Sequence, residues 1–175
     1  VSAVIGMPEW WPTGSRVGIV LAHGATGSSE DPLLVELHRS LTERKYLTLR
    51  FNFPFMEHHK RPPDSRAVAT ATIAAAVRHA REVKPRLPLF LGGHSFGGRM
   101  ASHAVLDQDV GDIRGLIFCS FPLHPVGKPG IVRADHLGAI ELPMLFLSGT
   151  RDALADAELL DGVIARLGRR AELVR

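Results

Sequence analysis

Short apolar runs recur along the chain, and between them apolar residues return every three or four positions. Val17 to Ala22, Tyr46 to Phe51, Leu87 to Leu91, Leu116 to Cys119 and Met144 to Leu147 are predominantly apolar rather than alternating. Strands covered on both faces, as in a parallel sheet, carry that pattern. Asp31 is placed to cap a helix beginning at Pro32, with Leu33, Leu34, Leu37 and Leu41 turned inward. Asp64 or Ser65 opens the next helix, on which Ala69, Ile73, Ala76, Val77 and Ala80 share one face. Asp156 opens a later one carrying Leu160, Val163, Ile164 and Leu167, and Gly168 fits its C-terminal cap. Ala171 to Val174 reads as the start of one more strand. Strands alternating with helices predict an α/β fold, a mainly parallel sheet flanked by helices.

The 175 residues predict a single domain spanning 1–175. An apolar content of 45% against 22% charged residues is that of an ordinary globular protein, long enough to bury a core without staples. Cys119 is the only cysteine, so there is no internal disulfide; a reducing, cytoplasmic setting and a buried Cys119 are expected. Lys and Arg outnumber Asp and Glu by 21 to 18, but Arg16, Arg39, Arg50, Arg78, Arg99, Arg114 and Arg133 lie far apart in sequence. Scattered cations make a solvated surface, not a nucleic-acid footprint. No apolar stretch approaches the ~18 residues of a membrane span. The opening "VSAVIGMPEWW" has no basic segment and is not a signal peptide, and it lacks an initiator methionine, which predicts trimming at the front.

Gly93-His94-Ser95-Phe96-Gly97 follows the apolar run ending at Leu91 and precedes a helical pattern from Arg99 to Leu106. A serine aimed out of a sheet edge needs a tight strand-to-helix turn, and small residues two before and two after let the backbone close; this is the nucleophile elbow G-x-S-x-G. The helix that follows points its positive end at any oxyanion formed there. The competing view is a structural glycine loop. A phosphate-binding loop fails because Arg99 and Met100 stand where Lys and Ser or Thr are required. Leu21-Ala22-His23-Gly24-Ala25-Thr26-Gly27 is the second signal, the loop after the first long strand. It offers the backbone N–H of Ala25 as an oxyanion donor beside that of Phe96. The third is Ser148-Gly149-Thr150-Arg151-Asp152, which sets Asp152 at a strand's C-terminal end, in the order nucleophile then acid; as a bland alternative Asp152 is a loop carboxylate. No histidine spacing suits a metal, and neither metal nor cofactor is expected.

"LAHGATGS", "FNFPFMEHHKRPPD", "GGHSFGGRMAS", "FPLHPVGKPG" and "LFLSGTRD" together resemble the α/β-hydrolase superfamily over essentially the whole chain, in its dienelactone-hydrolase-like branch. More narrowly they resemble the group typified by testis-expressed protein thirty and the third subunit of the NSL complex. The resemblance implies a serine hydrolase fold without a cap domain, although Ser95 stands where dienelactone hydrolases have cysteine. It also implies a histidine just after the last strand. The last histidine here is His136, upstream of Asp152. The C-terminal end is therefore expected to be incomplete, with the triad histidine beyond residue 175. His94 is expected to point away from Ser95, His23 to order the oxyanion loop, and His124 to line the pocket.

The expected function is cleavage of a small ester or thioester: Ser95 as nucleophile, Phe96 and Ala25 as backbone oxyanion donors, and Asp152 orienting the missing histidine. The alternative is a catalytically silent domain used as a scaffold. A small-molecule acyl substrate is expected, acidic if the basic loop His58, His59, Lys60 and Arg61 rims the site; a homo-oligomer is left open.

Overall fold

The computed structural model describes residues 1–10 and 16–175; Trp11, which closes the opening stretch, lies outside them. The strands are β1 (Ala3–Gly6), β2 (Gly18–Ala22), β3 (Leu47–Phe51), β4 (Leu89–His94), β5 (Ile113–Cys119), β6 (Met144–Leu147) and β7 (Ala171–Val174). They form one seven-stranded sheet in the order β1-β3-β2-β4-β5-β6-β7. Only β1 runs antiparallel, pairing with β3 from Ala3 opposite Phe51 to Gly6 opposite Thr48. The sequence pattern does not show β1, because this four-residue edge strand is largely exposed and has no fully buried face.

The helices are α1 (Pro32–Glu43), the single turn α2 (Pro54–Glu57), α3 (Arg66–Val83), α4 (Phe96–Asp107) and α5 (Ala157–Leu167). Their starts follow from side-chain acceptors. Asp31 accepts from the Leu33 N–H, Ser65 from Val68, and Asp156 from both Glu158 and Leu159. Asp64 accepts instead from the N–H of Phe55, tying α2 to the entry of α3. Gly168 ends α5 at φ 61°, a left-handed conformation that glycine adopts without strain.

Alternate residues of β2 face opposite layers. Ile19 and Leu21 meet Leu34 of α1 on one face, whereas Val20 and Ala22 join the larger core with α3, α4 and α5 on the other. Each fully buried Leu or Phe there contributes about 1.5–3 kcal/mol. On α1 the inward stripe is Leu34, fully buried, with Leu37 and Leu41 partly buried beside it. Leu33, expected inward, is 40% exposed, since it lies at the margin of that stripe, about 100° round the helix from Leu34. Between β5 and β6 the chain makes only a 3₁₀ segment, Val132–Ala139, and no cap domain. No described helix is long and apolar enough to cross a membrane.

The parallel register delivers the strands' carboxyl ends to one edge. His94 lies opposite Cys119 and Cys119 opposite Leu147, and Leu147 is opposite Val174. The ladder continues one step past the strands, with Ser95 N–H donating to Cys119 O at 2.9 Å and Ser120 N–H to Leu147 O at 2.8 Å. Ser148 N–H in turn donates to Val174 O at 3.0 Å. That edge carries the chemistry.

Candidate active site

Ser95 is the turn between β4 and α4, at φ 49° and ψ −113°. Such a conformation costs a non-glycine residue about 1–3 kcal/mol and persists only when the surroundings impose it. Here the Cys119 carbonyl holds the Ser95 N–H, and the Ser95 carbonyl accepts the first helical bond from Arg99 at 3.1 Å. The flanking glycines let the two backbones touch: a Cβ at Gly93 would lie 2.1 Å from the Ala22 carbonyl oxygen, and one at Gly97 2.3 Å from the same atom. A strand, a sharp turn and a helix therefore close around the serine as the elbow pattern requires.

Ser95 opens into a cleft of about 630 Å³, whose walls include Ala25, Asp31, His94, Ser120 and Asp152. Two loops meet there, one from β2 and one from β6. The β2 loop is a tight turn, with Gly27 N–H donating to Gly24 O at 3.2 Å and Ala25 at its second position. Phe96, as the first residue of α4, has an N–H with no intrahelical partner.

His23 locks the β2 loop. Its Nε2 accepts the Phe53 N–H at 3.0 Å, so its Nδ1 carries the proton and donates to the Gly24 carbonyl at 2.7 Å. The ring packs edge-on against Phe53 and Phe55. Burial drives its pKa down, outweighing the Gly24 bond that raises it, and His23 stays neutral. Ser29 N–H donates to Asn52 Oδ1 at 2.7 Å, a second stitch between the loops after β2 and β3.

The β6 loop brings Asp152 to the cleft. Its Oδ1 accepts the Leu154 N–H at 2.9 Å, whereas Oδ2 is buried with no hydrogen-bond partner among the described residues. A buried acceptor left unmade costs about 1–3 kcal/mol, and more when charged. Asp156, not Asp152, caps the helix.

The histidines divide clearly. His94 turns to the β2 loop, packing on Gly24 with its Nδ1 3.9 Å from Asp31 Oδ2, and its ring forms part of the cleft wall. His124, expected at the pocket, is buried with both nitrogens engaged, Nδ1 at the Pro125 carbonyl and Nε2 accepting from the Asp156 N–H. His103 of α4 and His136 of the 3₁₀ segment stack at 3.7 Å, and Ser102 meets His136 Nε2 at 2.7 Å. Burial comes first in lowering both to about 4; at His103 the His136 ring adds to it, and Arg66 and Arg99 add at both. His58, His59, Lys60 and Arg61 are exposed and line neither the cleft nor the groove beside it. Cys119 is buried, and its thiol is pushed up to about 11 by burial.

The sequence pattern also missed Asp31, Ser120, Arg99 and Arg133 as site walls. Arg99 had a signal, standing one helical turn after Ser95. Arg133 had none, because it arrives from the 3₁₀ segment after β5.

Comparison with known proteins agrees with this fold. The fold is similar to that of an α/β serine hydrolase homologue from Coxiella burnetii, at a TM-score of 0.77 and 19% identity, covering 98% of this chain and 79% of that one. A lidless α/β serine hydrolase from Xanthomonas campestris matches at 0.73 and 20% identity, over 99% and 76%. A dienelactone hydrolase from Anabaena variabilis matches at 0.73 and 16%, over 98% and 77%. The model of the α/β-hydrolase domain matches residues 15–174, and the chain belongs to that family.

Proposed function

We propose that the protein is a serine hydrolase of small esters or thioesters. Ser95 Oγ attacks the carbonyl carbon, and the N–H groups of Phe96 and Ala25 hold the oxyanion that forms. Collapse expels the alcohol or thiol, and water then releases the acid from the acyl-serine. The base is an imidazole oriented by Asp152 and supplied from beyond residue 175, since β7 runs to the edge where Asp152 stands. One observation carries this reading: Asp152 Oδ2 is buried beside the Ser95 cleft with a vacant acceptor position. An N–H donated by a histidine would fill it. The finer likeness to the testis-expressed protein thirty group belongs to the same reading, as does the cytoplasmic setting.

A fluorophosphonate probe tests it. Covalent labelling of the full-length protein at Ser95, lost in Ser95→Ala, is the expected result. A second reading, a catalytically silent scaffold, draws on the fact that none of the nine histidines fills the Asp152 Oδ2 position. An unlabelled Ser95 in folded full-length protein selects that reading.

A further inference from the structure

Beside the main cleft lies a groove of about 330 Å³ that shares Ala25, Ser95 and Leu154 with it and is walled by Arg99 and Arg133. Arg66 approaches the same cluster, but its guanidinium is committed to both carboxylate oxygens of Asp107. Arg99 and Arg133 form no ion pair among the described residues. Arg99 Nε is buried without a hydrogen-bond partner.

Burial, with Arg133 and Arg66 close by, holds the Arg99 guanidinium below the usual arginine value. Two cations gathered without a counter-charge repel each other and lose hydration, an arrangement that an incoming anion would relieve. The positive end of α4, which starts at Phe96 in the same groove wall, adds to the attraction. Guanidinium forks suit a planar, two-oxygen anion better than a point charge.

We propose that this groove is an anion subsite, and that the ester cleaved at Ser95 carries a carboxylate seated between Arg99 and Arg133. The proposal rests on the serine hydrolase reading and names its substrate class. It also relocates the cationic recognition from the exposed His58–Arg61 loop to residues that touch the serine's own groove.

Binding separates this proposal from catalysis. Full-length Ser95→Ala protein, which cannot turn over, is titrated calorimetrically at low salt with methyl hexanoate, with monomethyl adipate, and with the hexanoate ester of glycolic acid. The second probe places the carboxylate on the acyl half and the third on the alcohol half. One of the two anionic esters should bind at least about tenfold tighter than the neutral one. Arg133→Gln and Arg99→Gln should each bring that ratio towards one, and about 0.5 M NaCl should shrink it. Equal affinity for all three esters, or a preference that survives both substitutions, overturns the proposal. Labelling of wild-type Ser95 is scored separately. Labelled serine with equal affinities removes the anion subsite alone, whereas unlabelled serine with an arginine-dependent preference keeps the subsite and removes the hydrolase reading.

Discussion

Replacing Gly97 by alanine adds one methyl group to the elbow, and the structure sets where it must go. That carbon would lie 2.3 Å from the Ala22 oxygen, 2.5 Å from the Ala22 carbonyl carbon and 2.6 Å from the His23 oxygen. Ordinary C···O contacts begin near ~3.3 Å, so about 1 Å must be found. All three obstacles are backbone, and none can swing aside as a side chain would. Ala22 is fixed on both sides, paired with Phe51 of β3 and with Gly93 of β4. Overpacking of this kind costs ~1–3 kcal/mol, and the pinned backbone argues for the upper end. For a chain of this size, about 3 kcal/mol lowers Tm by roughly 6–12 °C. Gly162→Ala is the control, because its added Cβ has nothing within 4 Å and the position is an exposed helix interior. Removing a helical glycine there should stabilise by ~0.5–1 kcal/mol. Thermal unfolding followed by circular dichroism at pH 7.5 should therefore move in opposite directions for the two variants. A Gly97→Ala protein melting within about 2 °C of wild type would show that the elbow is not packed as described.

The stacked imidazoles make stability pH-dependent. His103 and His136 are held near 4 against 6.5 when unfolded, so their contribution is complete above pH 6.5 and falls as pH drops towards 4. Holding one ring uncharged over that window is worth ~3 kcal/mol; urea midpoints of His103→Leu should fall less between pH 7 and 4.5 than those of wild type, and parallel curves would refute the account. His23→Ala strands the buried Phe53 N–H, which should cost about 1–3 kcal/mol and slow fluorophosphonate labelling of Ser95; an unchanged labelling rate would detach His23 from the oxyanion loop. Asp156→Ala removes the acceptor for two N–H groups of α5 and should cost ~1 kcal/mol with labelling intact, a result checked by the same two measurements.

What the sequence made legible was what short stretches of chain decide. The elbow at Ser95, the caps at Asp31 and Asp156 and the inward stripe of α3 all depend on neighbours within a turn or two. The central strands were readable because both faces are covered, which leaves nearly unbroken apolar runs. β1 was not, since an exposed edge strand needs its partner β3 to exist at all. Arg133 beside Ser95, and His124 spent on Pro125 and Asp156 rather than on the cleft, are products of long-range packing. Leu33 sits at the margin of the α1 stripe: its neighbour Leu34, about 100° away, takes the fully buried position and leaves Leu33 partly in solvent.

The strained backbone at Ser95 has a consequence for the order of folding. Its conformation is imposed by the Cys119 carbonyl from a later strand and by the close approach of Gly93 and Gly97 to Ala22 from a much earlier one. Neither constraint exists in an isolated β4–α4 hairpin. Contacts of long sequence separation close late, after their loop entropy has been met. The nucleophile's geometry therefore forms only once β2, β4 and β5 lie side by side, and a chain still assembling on its way to the native state exposes an ordinary serine. Substitutions that disturb the elbow alone should then speed unfolding while leaving the folding rate almost untouched.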